Sequence, residues 1–292
     1  MHRIHPLPCL DSQQRAAHCQ AVLSIPRTSA ATLGHEAMAA AENGFYVNTA
    51  GQRVDWQAAV ANAVAARCSL PPDAELPPLA APQWAQTQLQ VANETTLAAA
   101  RRLTDAGERV LALNFANGIH PGGGFLHGAR AQEEVLCRSS ALYATLQGDA
   151  MYAAHQQRPL PDSTDWAILS PDVPVFRNDD GRPLDAPWLL SCLTCAAPYA
   201  PGTGQALAGD LLQARIRRVL AIARAYEYSA LVLGAWGCGA FGNDPVRTAR
   251  DFRDALETHA GAFSTVVFAI ADWSPERRYL APFCAVMGES QP

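Results

Sequence analysis

Residues 109–124 read RVLALNFANGIHPGGG, and the tripeptide Gln132-Glu133-Glu134 begins eight positions after the last glycine. The first seven of these residues are apolar enough to form a central β-strand, and the glycines follow it as a loop. Three consecutive glycines carry no Cβ atoms and permit positive φ angles, so their amide N–H groups can turn toward an anion. The two carboxylates stand at the predicted start of a helix. A loop that holds a sugar phosphate next to an acid suits glycosidic chemistry.

An alternation of strands and helices extends on both sides of this stretch. The predicted strands lie at 88–91, 109–115, 166–169, 173–176, 189–196, 230–233 and 265–271. The predicted helices lie at 93–106 (capped by Asn93), 131–146, 209–226 and 244–259. This alternation predicts an α/β fold with a mixed or parallel sheet and helices on both faces. Ligands of such sheets bind beyond the carboxyl ends of the strands, where the glycine loop is predicted to lie.

The first third of the chain differs in pattern. Residues 1–28 show no clear period and are predicted as a loosely ordered N-terminal extension, whereas residues 29–292 are predicted to form a single domain. That domain begins with a helical accessory region. Its predicted elements are an alanine-rich helix at 30–43 that Gly44 ends, a hairpin at 45–54, a helix at 56–68 and a proline-rich connector at 71–82.

The composition argues against several classes of function. The 292 residues carry a net charge of −5, which argues against a general nucleic-acid-binding surface because such a surface needs a basic stripe. No window of 18 apolar residues offers a membrane span, and the N-terminus lacks the apolar region of a secretory signal. The eight cysteines are irregularly spaced in a chain too large to need disulfides. We therefore expect reduced thiols in a cytoplasmic protein.

A second glycine-rich loop, GAWGCGAFGN at 234–243, also follows a predicted strand. Two such loops on one rim suit a ligand with two phosphates. The GxGxxG spacing at 237–242 also fits a dinucleotide-binding Rossmann unit, with Asp272 after the next strand. That alternative is disfavoured because Asp272 lies about 30 residues past the last glycine instead of ~20, and because it leaves the first loop unexplained. A plain turn before a helix opened by Pro245 is a further alternative.

Glu133 and Glu134 admit two interpretations. Acidic residues are common in the first turn of a helix, whose N-terminus carries partial positive charge, so the pair can simply stabilise the helix. Glycosidic cleavage needs a carboxylic acid that protonates the leaving oxygen and a carboxylate that activates water. Adjacent helical residues point about 100° apart, so the pair is not expected to face one oxygen together. We therefore expect one carboxyl group to perform the chemistry and the other to hold ribose hydroxyls.

Other polar clusters carry weaker signals. Cys192-Leu193-Thr194-Cys195 is a CxxC motif, but a zinc site needs a second pair and a redox role favours a helix start. Core packing is therefore expected for both cysteines. His120 and His127 flank the glycines and could polarise phosphates. The arginines among residues 215–218 are expected to line the solvent-facing side of a helix.

These motifs together resemble the signature of microbial-type poly(ADP-ribose) glycohydrolases. The resemblance is carried by FAN at 115–117, GGG at 122–124, QEE at 132–134, LCRSS at 136–140, SPDVPVFR at 170–177 and the loop at 234–245. It covers about residue 30 to the C-terminus. It implies a macrodomain: a mixed, mostly parallel sheet between helices, with a helical extension at the N-terminus, that binds ADP-ribose in a cleft on its rim.

The resemblance also implies a role for each matching residue. Glu134 is implied as the general acid–base residue, which protonates the departing ribose 2′-oxygen and then activates water, while Glu133 holds ribose hydroxyls. Asn117 would hold the distal ribose, and Glu94 the adenine amino group. The glycine loops would wrap the ribose and the diphosphate. The further residues implied to bind substrate are Gly122, Gly123, Gly124, Gln132, Gly237, Cys238, Gly239, Ala240, Phe241, Gly242 and Asn243. No metal or other cofactor is expected.

The implied activity is hydrolysis of ribose–ribose O-glycosidic bonds in poly(ADP-ribose), with release of ADP-ribose, in ADP-ribosylation reversal and the DNA damage response. Two alternatives stay open: a module that binds ADP-ribose without turnover, and a hydrolase of mono-ADP-ribosylated protein or nucleic acid. The intact Glu133-Glu134 pair favours an enzyme because a pure binding module has no need of it. The expected partners are ADP-ribosylated macromolecules, with no membrane, no sequence-specific nucleic acid and a monomeric state.

Overall fold

A sheet of eight strands forms the centre of the computed structural model, which describes residues 2–288. From one edge to the other its strands are β1 (Arg3–Pro6), β5 (Gln86–Ala92), β10 (Thr265–Ala269), β9 (Ala230–Leu233), β6 (Val110–Ala116), β8 (Pro183–Ala196), β7 (Ala167–Arg177) and β4 (Cys68–Leu70). The strands from β1 to β8 in this order are parallel, and β7 is antiparallel to β8 and β4. The predicted mixed, mostly parallel sheet is confirmed. Strands β2 (Phe45–Val47) and β3 (Arg53–Asp55) form the predicted hairpin.

Helices cover both faces of this sheet, as predicted. One face carries α9 (Gln205–Ala225), α10 (Pro245–Glu257) and α11 (Leu280–Gly288). The other carries α2 (Arg27–Asn43), α3 (Gln57–Ala66), α4 (Thr96–Asp105), α5 (Gln132–Ser139), α6 (Leu142–Leu146) and α7 (Ala150–Gln156). The remaining helices are α1 (Gln13–Leu23) and α8 (Ala200–Thr203). Within residues 2–288, no helix combines the length and apolarity that crossing a membrane would require.

Side chains of the strands alternate between the two cores. Cys192 lies in the core under α2–α7 and Cys195 in the core under α9–α11, because residues three apart on a strand point to opposite faces. Both side chains are buried, so the CxxC motif packs in the core as expected. The parallel neighbours β5, β10, β9, β6 and β8 also bring their carboxyl ends to one edge, where the loops that follow them meet.

Two predicted element boundaries are wrong. The side chain of Thr95, not Asn93, caps α4 by accepting a hydrogen bond from the N–H of Ala98 at 3.1 Å. Asn93 instead exchanges hydrogen bonds with the backbone of Asp272 and joins the ends of β5 and β10. The helix predicted at 131–146 is interrupted at Ser140, whose extended backbone forms a β-bridge with β7.

The first residues of the chain are more ordered than predicted. Strand β1 extends the sheet by pairing in parallel with β5, and Ser12 caps α1 by accepting a hydrogen bond from the N–H of Arg15 at 3.1 Å. Ala16 and Cys19 of α1 are buried. Of the extension predicted to be loosely ordered, residues 3–23 therefore include a strand and a helix. A four-residue edge strand with alternating exposure offers no apolar run that a sequence pattern could detect.

The prediction that all cysteines are reduced is also wrong. Cys9 and Cys284 form a disulfide with their Cα atoms 5.7 Å apart, although 275 residues separate them in the sequence. Spacing cannot reveal such a pair because only the fold brings the segment after β1 next to α11. The other six cysteines are free, and all but Cys68 are buried.

One arginine predicted to be solvated lies in the interior. Arg215 of α9 is 1 % exposed, and its guanidinium donates hydrogen bonds to the carbonyl oxygens of Ala196, at 2.8 Å, and Asp162. Burial is the largest effect on its pKa and lowers it. Arg217, two residues later, is exposed as expected.

Candidate active site

The loops that follow β5, β6, β9 and β10 enclose a cleft at the carboxyl edge of the sheet, with a cavity volume of about 490 Å³. Residues singled out from the sequence that line it are Glu94, Asn117, Gln132, Glu133, Glu134, Gly237, Gly239, Ala240 and Phe241. Residues of the same loops that do not line it are Gly122, Gly123, Gly124, Cys238, Gly242 and Asn243. The structure thus brings the two glycine loops and the carboxylate pair together.

Glu133 is 3 % exposed, and the loop after β6 binds its carboxylate. Its Oε2 accepts a hydrogen bond from the Asn117 N–H at 2.7 Å, and its Oε1 accepts one from Asn114 Nδ2 at 3.4 Å. Burial, the largest effect, raises the pKa of Glu133 to about 8. The charge of Glu134 raises the pKa further, and hydrogen bonds, including one from the Gly122 N–H, oppose the shift. Glu133 therefore tends to retain a proton at neutral pH.

Glu134 is 8 % exposed and keeps one carboxyl oxygen without a protein partner. Its Oε1 accepts a hydrogen bond from the Gly124 N–H at 3.0 Å. Its Oε2 is buried and forms no hydrogen bond within residues 2–288. Since Glu134 also lines the cleft, Oε2 is the one of its two carboxyl oxygens that no described residue engages.

Gly123 lies against both carboxylates. Its φ is +58°, and a Cβ atom at this position would stand 2.4 Å from Oε1 of Glu134 and 2.9 Å from Oε2 of Glu133. The glycine loop therefore packs so closely against the start of α5 that both carboxylates lie next to the backbone of Gly123. Any larger residue would displace them.

The side chain of Asn117 shapes the loop after β6. Its Oδ1 accepts hydrogen bonds from the N–H groups of Ile119 at 2.9 Å and His120 at 3.0 Å. Its Nδ2 donates no hydrogen bond to any described residue, which leaves two donor positions for a ligand hydroxyl. His120 is exposed, and the loop orients its backbone, not its ring.

Helix α7 fixes the same loop through hydrogen bonds to its backbone carbonyl oxygens. His155 is 4 % exposed, and its Nε2 accepts a hydrogen bond from the Thr164 N–H at 3.1 Å. The ring proton must then lie on Nδ1, which donates to the carbonyl oxygen of Gly118 at 3.0 Å. Burial, the largest effect, lowers the pKa of His155 and favours this neutral form. Gln156 donates a second bond, to the carbonyl oxygen of Ile119 at 3.0 Å.

Gln132 joins α5 to β6. Its Oε1 accepts a hydrogen bond from the Phe115 N–H at 2.9 Å, and its Nε2 donates to the carbonyl oxygen of Leu113 at 2.7 Å and to Thr96 Oγ1 at 3.3 Å. The amide is thus used within the protein, although the residue lines the cleft. These bonds fix the start of α5 and with it the two glutamates that follow.

The second glycine loop presents unpaired amides to the cleft. Among the described residues, the N–H groups of Gly239, Ala240 and Phe241 have no hydrogen-bond acceptor. A Cβ atom at Gly239 would meet nothing within 4 Å, so the backbone there borders open space. Successive free N–H groups next to open space are suited to bind an anion. Phe241 also lines the cleft, and the ring of Tyr199 packs edge-on against it at 6.0 Å.

Two other predicted residues hold this loop from inside. Asn243 is buried and donates from Nδ2 to the carbonyl oxygens of Pro198 at 2.9 Å and Gly237 at 3.1 Å. Cys238 is 3 % exposed, and its Sγ donates to the carbonyl oxygen of Trp236 at 3.6 Å. The side chains of Asn243 and Cys238 therefore shape the loop, and its backbone faces the cleft.

Glu94 lies after β5 and lines the cleft. Its Oε1 accepts a hydrogen bond from Arg102 at 2.6 Å. Its Oε2 accepts none from the part of the chain that the structure describes. Glu94 therefore retains a free acceptor for a ligand donor.

Several residues that line the cleft were not singled out from the sequence. They are Leu23, Thr95, Thr96, Phe115, Arg130, Asp179, Ala197, Ile270, Trp273 and Tyr279. Trp273 could have been found, because an aromatic residue shortly after a strand end lies on the ligand-binding edge of such a sheet. Leu23 of α1 carries no such signal. No group of three or more His, Cys, Asp or Glu side chains in residues 2–288 is placed to hold a metal ion.

Comparison with known proteins identifies the family. The model of the microbial-type PARG catalytic domain matches residues 34–178. The crystal structure of poly(ADP-ribose) glycohydrolase from Thermomonospora curvata has a TM-score of 0.84 at 42% identity, over 89% of this chain and 99% of that chain. The same enzyme bound to the inhibitor ADP-HPD has a TM-score of 0.80 at 41% identity, over 88% and 99% of the two chains.

A structure from a second organism agrees. Poly(ADP-ribose) glycohydrolase from Deinococcus radiodurans in complex with ADP-ribose has a TM-score of 0.66 at 45% identity, over 69% of this chain and 84% of that chain. Among curated protein sequences there is no match. The structural agreement confirms the macrodomain-like architecture that the sequence resemblance implied. The chain belongs to the microbial-type poly(ADP-ribose) glycohydrolase family.

Proposed function

We propose that this protein hydrolyses the ribose–ribose O-glycosidic bonds of poly(ADP-ribose) and releases ADP-ribose, with Glu134 as the general acid–base residue. The observation that carries the assignment is the unpartnered Oε2 of Glu134 beside a second carboxyl group that tends to keep its proton. Membership of the family supports the activity. The ADP-HPD and ADP-ribose complexes of the related enzymes support the class of ligand.

The proposed reaction has two proton transfers. The carboxyl group of Glu134 first donates its proton to the departing ribose oxygen while the glycosidic C–O bond breaks. The resulting carboxylate then removes a proton from water, and the water oxygen bonds to the anomeric carbon. This step restores the acid form of Glu134, so that the enzyme gains or loses no proton over the cycle.

The remaining side chains are proposed to hold the substrate. Glu133 and Nδ2 of Asn117 would bind ribose hydroxyls beside the scissile bond. The free N–H groups of residues 239–241 would bind the diphosphate, and Phe241 would cover the adjoining ribose. Glu94 would accept a hydrogen bond from the adenine amino group through its free Oε2.

The decisive experiment replaces Glu134 by Gln and measures the ADP-ribose released from poly(ADP-ribose). Turnover should fall on the order of 10²-fold or more because the amide cannot transfer the proton. Affinity for ADP-ribose, measured by calorimetry, should stay near wild type because the shape of the side chain is kept. Glu75→Gln makes the same chemical change at an exposed residue of the connector and should leave both quantities unchanged. Full turnover by Glu134→Gln would refute the assignment.

The choice of substrate is tested in the same assay. Incubation with mono-ADP-ribosylated protein, alongside the polymer, distinguishes polymer trimming from removal of a single ADP-ribose. We propose that the polymer is the substrate. We also propose that the active protein is monomeric and that it serves in ADP-ribosylation reversal and the DNA damage response. Release of ADP-ribose from the mono-modified protein alone would contradict the first of these statements.

A cytoplasmic location is also proposed, and six free cysteines support it. The disulfide between Cys9 and Cys284 argues in the opposite direction because disulfides are rare in reducing compartments. Fractionation of cells that produce the protein decides the question. Recovery of the protein outside the cytoplasmic fraction would overturn this part of the proposal.

A further inference from the structure

Arg138 carries a buried positive charge on α5, the helix that begins with the carboxylate pair. It lies on α5 one turn after Glu134, and residues four apart on a helix share a face. The side chain is 1 % exposed, and its guanidinium donates no hydrogen bond to any residue between 2 and 288. A buried cation is costly unless negative charge nearby compensates it.

Two carboxylates supply that compensation without a hydrogen bond to the guanidinium. Burial, the largest effect, lowers the pKa of Arg138, while the charges of Asp179 and Glu134 raise it and Arg130 lowers it further. Asp179 follows β7, and its Oδ2 accepts a hydrogen bond from Thr95 Oγ1 at 2.7 Å. Oδ1 of Asp179 is buried and accepts no bond from the described chain. The charge of Arg138 therefore interacts with both Glu134 and Asp179.

We propose that Arg138 is a positioning residue for the glycosidic reaction, whose buried charge sets the pH range in which Glu134 can exchange its proton. This inference rests on the proposed function. The first proton transfer leaves negative charge on the pair, and a nearby cation stabilises that state. A direct salt bridge to Oε2 of Glu134 would occupy the oxygen that transfers the proton. A charge that acts through space leaves it free.

The other groups around the pair do not duplicate this charge. Burial is the largest effect on Cys137 and Tyr152 and raises the pKa of each, so both stay neutral at neutral pH. Glu36 and Arg177, which lie between α2 and β7, form an ion pair at 2.6 Å and offset one another. Further titratable groups on elements next to α5 are Tyr143, Arg130 and His127, none of which is fully buried.

The test is the pH profile of turnover on poly(ADP-ribose). Arg138→Met removes the charge and keeps the length of the side chain. The pair should then hold its protons to higher pH, and both limbs of the profile should move up by about one pH unit or more. Arg138→Lys keeps a cation, so both limbs of the pH profile should stay close to the pH values that they have in the wild-type protein. Asp179→Asn removes the opposing charge and should move the limbs in the opposite direction, to lower pH.

A matched control separates charge from packing. Arg215→Met removes a second arginine that is 1 % exposed, but one that binds the carbonyl oxygens of Ala196 and Asp162. It should lower the melting temperature and leave the limbs in place. Unmoved limbs in a folded Arg138→Met would overturn the proposal. If that variant does not fold, limbs that stay in place or rise in Asp179→Asn would do so. Failure of the proposed function is distinguished by full turnover in Glu134→Gln.

Discussion

The absence of a side chain at Gly123 allows the glycine loop to touch both carboxylates. In Gly123→Ala the new methyl group would lie 2.4 Å from Oε1 of Glu134 and force the carboxylate to move. We expect turnover to fall on the order of 10²-fold because small displacements of a catalytic group are that costly. Steady-state hydrolysis of poly(ADP-ribose) checks this.

Gly148→Ala is the control for that experiment. Gly148 also has a left-handed backbone, with φ of +72°, but a Cβ atom there meets nothing within 4 Å. Both substitutions should lower stability by about 1 kcal/mol because alanine is strained at positive φ. Turnover should fall only in Gly123→Ala. Equal losses of turnover would show that backbone strain, and not contact with Glu134, is responsible.

Burial of Glu133 should make stability depend on pH. Its pKa is about 8 in the folded protein against an ordinary value of 4.5, so the folded state binds a proton that the unfolded state has released. Its contribution to stability is therefore complete below pH 4.5 and is lost as the pH rises toward 8, by up to about 1.4 kcal/mol per pH unit. Glu133→Gln should remove this dependence. Urea unfolding of both proteins between pH 5 and 8 measures the difference in slope, and parallel curves would contradict the shift.

At the residue scale, sequence reasoning found the groups that local motifs mark. Asn117 precedes a glycine at the end of an apolar strand, and Glu133 and Glu134 open the helix that follows the glycine loop, where ligand-binding residues gather. Arg138 and Arg215 were not found as buried charges. Their neighbours come from the turn after β7, from β8 and from the loop before β7, and no periodicity along one helix reports such partners.

At the scale of elements, α7 controls the loop that carries Asn117. His155→Ala should release the carbonyl oxygen of Gly118 and loosen the loop, so we expect turnover to fall on the order of tenfold or more. Affinity for ADP-ribose should weaken as well because Asn117 lines the cleft. Hydrolysis assays and calorimetry measure the two effects.

His259→Ala provides the comparison. His259 is buried, and burial, the largest effect, lowers its pKa as it does that of His155. It lies after α10, and it does not line the cleft. The substitution should lower the melting temperature with little effect on turnover. A comparable loss of turnover in both variants would mean that general destabilisation, not the loop, explains the result.

The elements that sequence analysis located best are long or strongly apolar. Strand β9 was predicted with the bounds that it has, and α9 and α10 within a few residues. Short elements were missed, among them β1, β4 and α8, because three or four residues show no period. The break at Ser140 was missed for another reason. Ser140 pairs with Val175, and a contact 35 positions away overrides local helical preference.

At the scale of the whole molecule, the disulfide links the segment that follows β1 to α11. Wild-type protein should show six free thiols under denaturing conditions and eight after reduction. Reduction, or the double substitution Cys9→Ser and Cys284→Ser, should lower the free energy of unfolding by about 2–4 kcal/mol. The disulfide restricts the conformations of the unfolded chain, so its loss increases the entropy that is gained on unfolding. Urea unfolding with and without reductant measures this effect. Eight thiols before reduction would contradict the disulfide.

Contacts between distant parts of the chain also explain which residues of the cleft lining could not be predicted from the sequence. The carboxyl ends of β5, β6, β9 and β10 could be placed together because parallel order is predictable from alternating elements. The contributions of Leu23 and Asp179 could not, because they depend on where α1 and the end of β7 settle against that edge. The family resemblance assigned a role to neither residue.

The short distance between Cys9 and Cys284 also indicates that the chain can be circularly permuted. Since their Cα atoms are 5.7 Å apart, the first and last described segments of the chain lie side by side, and a linker could join these two segments. New ends could then be opened within residues 71–82, which contain neither helix nor strand and lie outside the cleft lining. Such a circular permutant would exchange the order of the coding segments while keeping every strand neighbour in the sheet.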